Sequence, residues 1–438
     1  MRPKKIFFTI FFLWASAIGY TQENFEGTVV QQRFIRLKFK SPVKLQEPVK
    51  VNIKRMELGR YQIPYSNGNQ IPYSSGVERF IQSFDIAPAP VIFEATLELE
   101  SDSSGMVKYE DHTITQGYSY IYWIQSRGGK IIAGPLCLKV RDPNLWWSQE
   151  KIELTMDSLT RFYPNVVRKH TFGKTREGNP INGLLVGNLN NAIVLIGNNH
   201  AGESGAELHL YTIEQILANN KDLLNKAGII IIPVLNIDSR NCLINGIPDY
   251  QRANSNGVDL NRNFPADWET VDSSYGVQTN DPFSSTYRGP SPASEPETKT
   301  VIRMIETYKP KVIFDYHWMG CITGNSLLSY IKKTEILPEL HQYAKCFNEG
   351  FYENTKNPPK YRMIESSDHP GTLPRYCIIK KNIPAYSVEG NNQEPILNRA
   401  SSDMATEEDL HEYQQKHYHA ILSVLKYLSN TTDKNNKL

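Results

Sequence analysis

Residues 192–203 read AIVLIGNNHAGE, and this stretch decides the fold. Ala192–Gly197 is an unbroken apolar run, too short for a helix and without the alternation of a half-exposed strand. It therefore predicts a strand covered on both faces, as in a parallel sheet flanked by helices. Beyond the polar break, Ala206, Leu210, Ile213 and Leu217 fall at helical spacing, predicting a helix over about 204–219. Gly228–Leu235 (GIIIIPVL) is a second buried strand. Val312–Phe314 and Ala385–Val388 have the same character. Ser294 with Glu297 three residues later reads as a capping box opening a helix that carries Val301, Ile302, Ile305 and Tyr308. Leu410, Tyr413, Ile421, Val424, Leu425 and Leu428 mark an amphipathic C-terminal helix over 406–428. Strands alternating with helices predict a three-layer α/β/α sandwich on a mixed, mostly parallel sheet.

Outward from this core the texture changes. Residues 22–142 alternate as half-buried strands: Ile35, Leu37 and Phe39 share one face, as do Phe93, Ala95, Leu97 and Leu99. The runs Tyr118–Ile124 and Leu136–Val140 continue the pattern, and Gly, Pro, Asn and Ser punctuate it. A small all-β sandwich over 22–142 is expected to precede the α/β unit, joined by Asp142-Pro143-Asn144. A propeptide, a binding module and a spacer are open roles for it; its size favours a domain that stays attached. Residues 237–296 are rich in Asn, Ser, Gly and Pro. So long a loop region in a compact domain points to function.

Residues 1–19 combine the basic MRPKK with the apolar 6–18, and Ala17 and Gly19 stand at −3 and −1 of a cleavage site. About 13 apolar residues are too few to span a bilayer, which takes about 20. The segment reads as a signal peptide, and the mature protein is expected to be secreted or periplasmic. The chain has 438 residues, 40% hydrophobic and 21% charged, which excludes a disordered or collagenous chain. The net charge is +2. Without Arg2, Lys4 and Lys5 it becomes −1, so nucleic acid is not an expected partner. The five cysteines, without a CxxC pair, suggest neither a zinc knuckle nor a disulfide framework.

His200 and Glu203 follow a strand directly, three residues apart, so both can converge on one cation. His317 ends another buried strand, VIFDYH. Two imidazoles and a carboxylate leave a fourth position open, the pattern of a catalytic zinc site. In Arg252–Phe264, RANSNGVDLNRNF, two arginines and several amides suit an anionic group: Arg262 can fork onto a carboxylate and Asn261 can add a donor. A loop knitted by its own Asn side chains is the other reading. Glu389 closes the strand AYSV and is either a general base or an ordinary strand-end acid.

The ordered set His200/Glu203, Pro233–Asp238, Arg252–Phe264, His317 and Glu389 resembles the zinc carboxypeptidases of the carboxypeptidase A type. Gly173–Ile181 (GKTREGNPI) and Tyr287–Thr298 (YRGPSPASEPET) add to the likeness, which spans about 148–430. The resemblance implies one zinc held by His200, Glu203 and His317, with Asp259 orienting His200. It implies Arg252 on the scissile carbonyl, Asn261 and Arg262 on the terminal carboxylate of a peptide substrate, and Glu389 as the base that activates water. Three departures bear on substrate choice. Gly202 stands where many digestive members carry Arg, Trp318 follows His317 where a small residue is common, and the tyrosine usually found about twenty residues before the catalytic Glu has no clear equivalent, Tyr361 and Tyr376 both fitting the spacing poorly. Alternatives are a cell-wall peptide amidohydrolase on the same zinc site and a catalytically silent peptide-binding protein. The stretch 365–377, with Glu365, Asp368, His369 and Arg375, is expected to form the side-chain pocket.

Overall fold

The computed structural model describes residues 21–22, 24–41, 45–59, 89–99, 105–203, 205–248, 251–273, 278–317, 327–354, 364–389 and 406–435. Residues 1–19, on which the signal-peptide expectation falls, and Trp318, Cys321 and Tyr361 lie outside these residues.

The N-terminal strands are β1 (Thr21–Gln22), β2 (Phe25–Val30), β3 (Phe34–Lys40), β4 (Val49–Gly59), β5 (Val91–Leu99), β6 (Gly105–Asp111), β7 (Ser119–Ser126) and β8 (Ile131–Lys139). They form one antiparallel sheet in the order β1-β2-β3-β6-β5-β4-β7-β8. The sheet folds over so that β2 meets β8: a Cβ on Gly27 would touch Leu138 and Leu136 side chains at 2.6 and 2.7 Å. Alternation explains the core this closure makes. Phe25, Val29, Ile35, Leu37, Phe39, Val51, Ile53, Tyr120, Tyr122, Ile124, Leu136 and Leu138 all point inward. The expected inward face of β5 is only partly realised, because Phe93 is 40% exposed and stacks on Tyr109 at 4.5 Å.

The second sheet is mixed. After α1 (Gln149–Phe162) come β9 (Val167–Lys174), β10 (Pro180–Gly187), β11 (Ala192–Ile196), α2 (Ala206–Asn219), β12 (Gly228–Ile232) and α3 (Ile237–Ile244). Then follow α4 (Pro296–Tyr308), β13 (Val312–Tyr316), β14 (Leu327–Ser329), α5 (Leu337–Phe351) and β15 (Glu365–Ser366). The chain closes with a short helical turn over 373–381, β16 (Ala385–Val388) and α7, for which α6 denotes Leu373–Tyr376 and α7 Glu407–Asn435. The order is β15-β14-β16-β13-β11-β12-β10-β9. The inner strands β16, β13, β11 and β12 run parallel and are buried on both faces, which is why their sequences are continuous apolar runs. Helices α2 and α5 each pack on α7, forming a helical layer of the α/β/α arrangement.

Two local expectations change. The stretch from 237 begins with a helix, α3, whose side chains are called to partners across the site and so show little amphipathic pattern. The Ser294/Glu297 capping box does not form. Glu295 is the N-cap of α4, Ser294 bonds the Glu295 carboxylate at 2.7 Å, and Glu297 accepts from the Arg176 N–H at 2.8 Å. Tertiary donors outcompete the local cap.

Candidate metal centre

In an open α/β sheet, ligand sites form beyond the carboxyl ends of strands, where chain order reverses. That point here is β11, flanked by β12 on one side and β13 on the other. His200 and Glu203 follow β11, His317 follows β13 and Glu389 follows β16. Ligand atoms of His200, Glu203 and His317 all lie within 4.8 Å of one another, and all three residues are buried.

His200 Nδ1 is 2.9 Å from Glu203 Oε1, and His317 Nδ1 is 3.1 Å from His200 Nδ1 and 3.2 Å from Glu203 Oε2. The far nitrogens face carboxylates: His200 Nε2 is 3.0 Å from Asp259 Oδ1, and His317 Nε2 is 2.7 Å from Asp315 Oδ2. With the ring proton on Nε2, the tautomer these carboxylates favour, both Nδ1 atoms are left turned inward toward Glu203. Three acceptors this close repel unless positive charge sits among them. A buried carboxyl is normally pushed up, yet His200 and then His317 hold Glu203 well below the usual carboxylate range. Burial opposes charge on His317, but Asp315 and Glu203 raise it well above an ordinary imidazole. The two-nitrogen, one-oxygen donor set suits zinc. A tetrahedral ion at about 2.0–2.1 Å from its ligands needs donors about 3.3–3.4 Å apart, close to the spacings found.

Asp315 was not singled out by sequence reasoning. Its signal was the D-x-H spacing at the end of a strand, which puts both side chains on one face. Asn199 Nδ2 donates to the same Asp315 oxygen at 3.0 Å. Asp259 is wholly buried and also accepts from Arg252 Nε at 2.7 Å and from the Asn261 N–H at 2.9 Å. Burial would raise its carboxyl, but Arg252 and His200 pull it far down. Asp259 thus links Arg252 to His200.

Asn261 and Arg262 occupy a single helical turn over Leu260–Arg262. Asn261 Oδ1 accepts from the Leu373 N–H at 3.0 Å, while its Nδ2 lies 3.1 Å from His317 Nε2. Arg262 is 3% exposed and donates to Asn261 O at 2.8 Å. Gly371, with φ +72, lets the 369–373 loop press on the Arg262 backbone, and its carbonyl accepts from the Phe264 N–H at 2.9 Å. Glu389 is 7% exposed, and its Oε2 is buried without a hydrogen-bond partner among the described residues. Burial first, then the charge of Glu203, push its carboxyl well up, with His317 and Arg252 opposing.

The motifs around the site are its frame. Asp238 accepts from Thr175 Oγ1 and Asn179 Nδ2 at 2.7 Å and from the Glu177 N–H at 3.1 Å, drawing the 173–181 turn onto α3. Asn254 Nδ2 donates to Glu295 at 2.9 Å, joining the Arg252 segment to the start of α4. The charges of 365–377 are largely paired: His369 Nδ1 with Asp272 Oδ2 and Arg375 Nε with Asp267 Oδ2, both at 2.7 Å. Tyr376 packs on Phe264 at 5.8 Å, inside the core.

The profile of the zinc carboxypeptidase family matches residues 152–394, and the chain belongs to that family. It is similar to mast cell carboxypeptidase A of Homo sapiens, 31% identical over 187 residues, 38% of this chain and 44% of the relative. It is also similar to a metallocarboxypeptidase A-like protein of Trichophyton verrucosum (strain HKI 0517), 33% identical over 169 residues, 34% of this chain and 38% of the relative. The chain spans about half the length of the curated relatives it matches. Among solved structures, the fold is like carboxypeptidase A from Helicoverpa armigera, with a TM-score of 0.55 at 19% identity over 66% of this chain and 75% of that one.

Proposed function

We propose that the protein is an exported zinc-dependent metallocarboxypeptidase that hydrolyses the last peptide bond of peptides with a free C-terminus. The carrying observation is the convergence of His200, Glu203 and His317 beside Arg252 and Asp259. In this reading those three residues hold one zinc, and Asp259 and Asp315 fix the two imidazoles. Zinc, when bound, supplies Lewis acidity and lowers the pKa of a water at its open position. Arg252 meets the carbonyl oxygen as negative charge develops there. Glu389 takes a proton from the attacking water and passes it to the leaving amine. Asn261 and Arg262 hold the substrate carboxylate. Export follows from residues 1–19, and 22–142 and 148–430 are the β and catalytic domains.

Asn261 and Arg262 follow closely on Asp259, which touches His200. A clamp so near the scissile bond accepts a terminal carboxylate and leaves little room for a longer chain. A charge-assisted pair contributes about 1.5–3 kcal/mol, or about 10–100-fold in kcat/KM. Free-acid peptides are therefore cut faster than their C-terminal amides by that factor, and Arg262→Ala erases most of the difference. Equal rates on both forms would defeat the carboxypeptidase reading in favour of another amidohydrolase.

A further inference from the structure

Resting on the reading that Arg252 serves the scissile carbonyl, we infer that the N-terminal β unit is a positioning scaffold that acts through α3, with Arg141 as its main contact. The segment just after α3 lies across the seam where β2 meets β8. The Val29 N–H donates to Asn245 O at 2.8 Å, and the Lys139 N–H donates to Gly246 O at 2.9 Å. Thr28 Oγ1 adds a bond to Asn245 O at 3.3 Å. Gly246 has φ +114, and a Cβ there would meet Val29 Cγ2 at 2.8 Å, so the seam admits only glycine without a shift. Arg141, 2% exposed, donates from Nη1 to Ile247 O at 2.7 Å and to Leu243 O. A cation on the last carbonyls of a helix satisfies its orphaned acceptors and complements its dipole.

The other end of α3 grips the metal centre. Ser239 Oγ and Asn236 Nδ2 donate to Ala253 O at 2.9 and 3.0 Å, fixing the residue next to Arg252. Arg240 Nη1 donates to Glu203 O at 3.4 Å, and Arg240 is ion-paired with Glu207 on α2. Trp146 in the linker lies under both Arg141 and Arg240, 5.0 and 5.2 Å from their guanidinium carbons, and its carbonyl accepts from Gln32 Nε2 at 2.9 Å. Helix α3 is thus a short beam. The β unit holds one end; Arg252 and the Glu203 turn hang from the other. On this inference the β unit is part of the working enzyme and not a removable propeptide.

The test uses the full chain carrying Arg141→Met, Arg141→Lys or Thr28→Val. Zinc content, KM and kcat on a free-acid peptide are measured, with hydrogen exchange at Gly202, whose N–H bonds Gln251 O, and at Asn254, whose N–H bonds Val258 O. For Arg141→Met the expected result is exchange about 10-fold faster at both amides and kcat lowered about 10–100-fold. KM stays within about threefold and, with zinc supplied at saturation, zinc content stays at the wild-type value, since no clamp or ligand side chain is replaced. Arg141→Lys, which keeps a cationic donor, returns kcat to within about threefold of wild type. Should Arg141→Met not fold, Thr28→Val is read in its place, with a drop of about 2–5-fold in kcat. Faster exchange confined to 245–247 with kcat unchanged, or a kcat loss that merely tracks lost zinc, would overturn the inference. If the wild-type protein cut no peptide, the proposed function would have failed, and exchange at Gly202 and Asn254 would by itself decide the scaffold role.

Discussion

Asp315 offers the sharpest test of how the metal centre is built. It is fully buried, and a single oxygen, Oδ2, receives both His317 Nε2 at 2.7 Å and Asn199 Nδ2 at 3.0 Å. Asp315→Ala removes that acceptor, leaves two buried donors unmatched and frees the His317 ring to turn. Asp315→Asn keeps an oxygen in place but deletes the negative charge that makes the imidazole a strong ligand. Loss of such an outer partner weakens metal binding by about 10–100-fold, so Asn is expected near the lower figure and Ala near the upper. At about 1.4 kcal/mol per factor of ten, this is about 1.4–2.7 kcal/mol. The stabilisation that zinc confers at a fixed concentration falls by the same amount. For domains of this size that is about 3–10 °C of the zinc-induced rise in Tm. Competition with a chromophoric chelator gives the affinity, and melts with and without zinc give the stability. Asp315→Ala binding zinc as tightly as wild type would refute the claim that Asp315 orients His317.

Three further outcomes are expected. Glu389→Gln keeps its zinc by elemental analysis but loses about 10²–10⁴-fold in kcat, because an amide cannot take a proton from water; near-normal hydrolysis would remove Glu389 from the mechanism. His209 is buried on α2 against the Tyr316 ring at 4.4 Å, and burial lowers its pKa to about 3. Its folded pKa is below the unfolded value of about 6.5, so its contribution is fully present above that pH and lost as pH falls toward 3. Between pH 6.5 and 5 this costs about 2 kcal/mol, read from urea midpoints; His209→Phe should show a flatter curve over that window, and parallel curves would exclude the residue. Glu207→Ala strands Arg240, whose exposure is 2%, and is expected to cost about 3–5 kcal/mol; a Glu207→Ala/Arg240→Met double variant should recover much of it, whereas additive losses would argue against a coupled pair.

Short-range spacing made much of this protein legible. The unbroken runs at 192–197 and 228–235 read as strands covered on both sides; β11 and β12 lie parallel at the centre of the sheet, and β12 stops at Ile232, just before Pro233. His200 and Glu203 at i and i+3, and the strand-end positions of His317 and Glu389, follow from the same periodicities. The carboxyl ends of neighbouring parallel strands must open onto one crevice. The family itself was legible by resemblance, carried by the order of these motifs and the run GVDLNRNF at 257–264.

Other features depended on partners far apart in sequence, which no local pattern encodes. Ser294 and Glu297 have the spacing of a capping box, yet Arg176, Asn254 and Asn263 claim the polar groups around them once the loops pack. Asn261 reads as a substrate donor, but packing also sets it between Leu373 and His317. Asp315 looks like one polar residue in an apolar strand until the sheet brings Asn199 to it. The seating of 245–247 across the seam between β2 and β8 joins segments more than a hundred residues apart. Sequence by itself determined the elements and the chemical types at their ends, because those rest on repeats of two and of 3.6 residues. Which buried donor meets which acceptor was decided only by the tertiary structure, because each buried polar group must find its match among whatever groups packing leaves within reach.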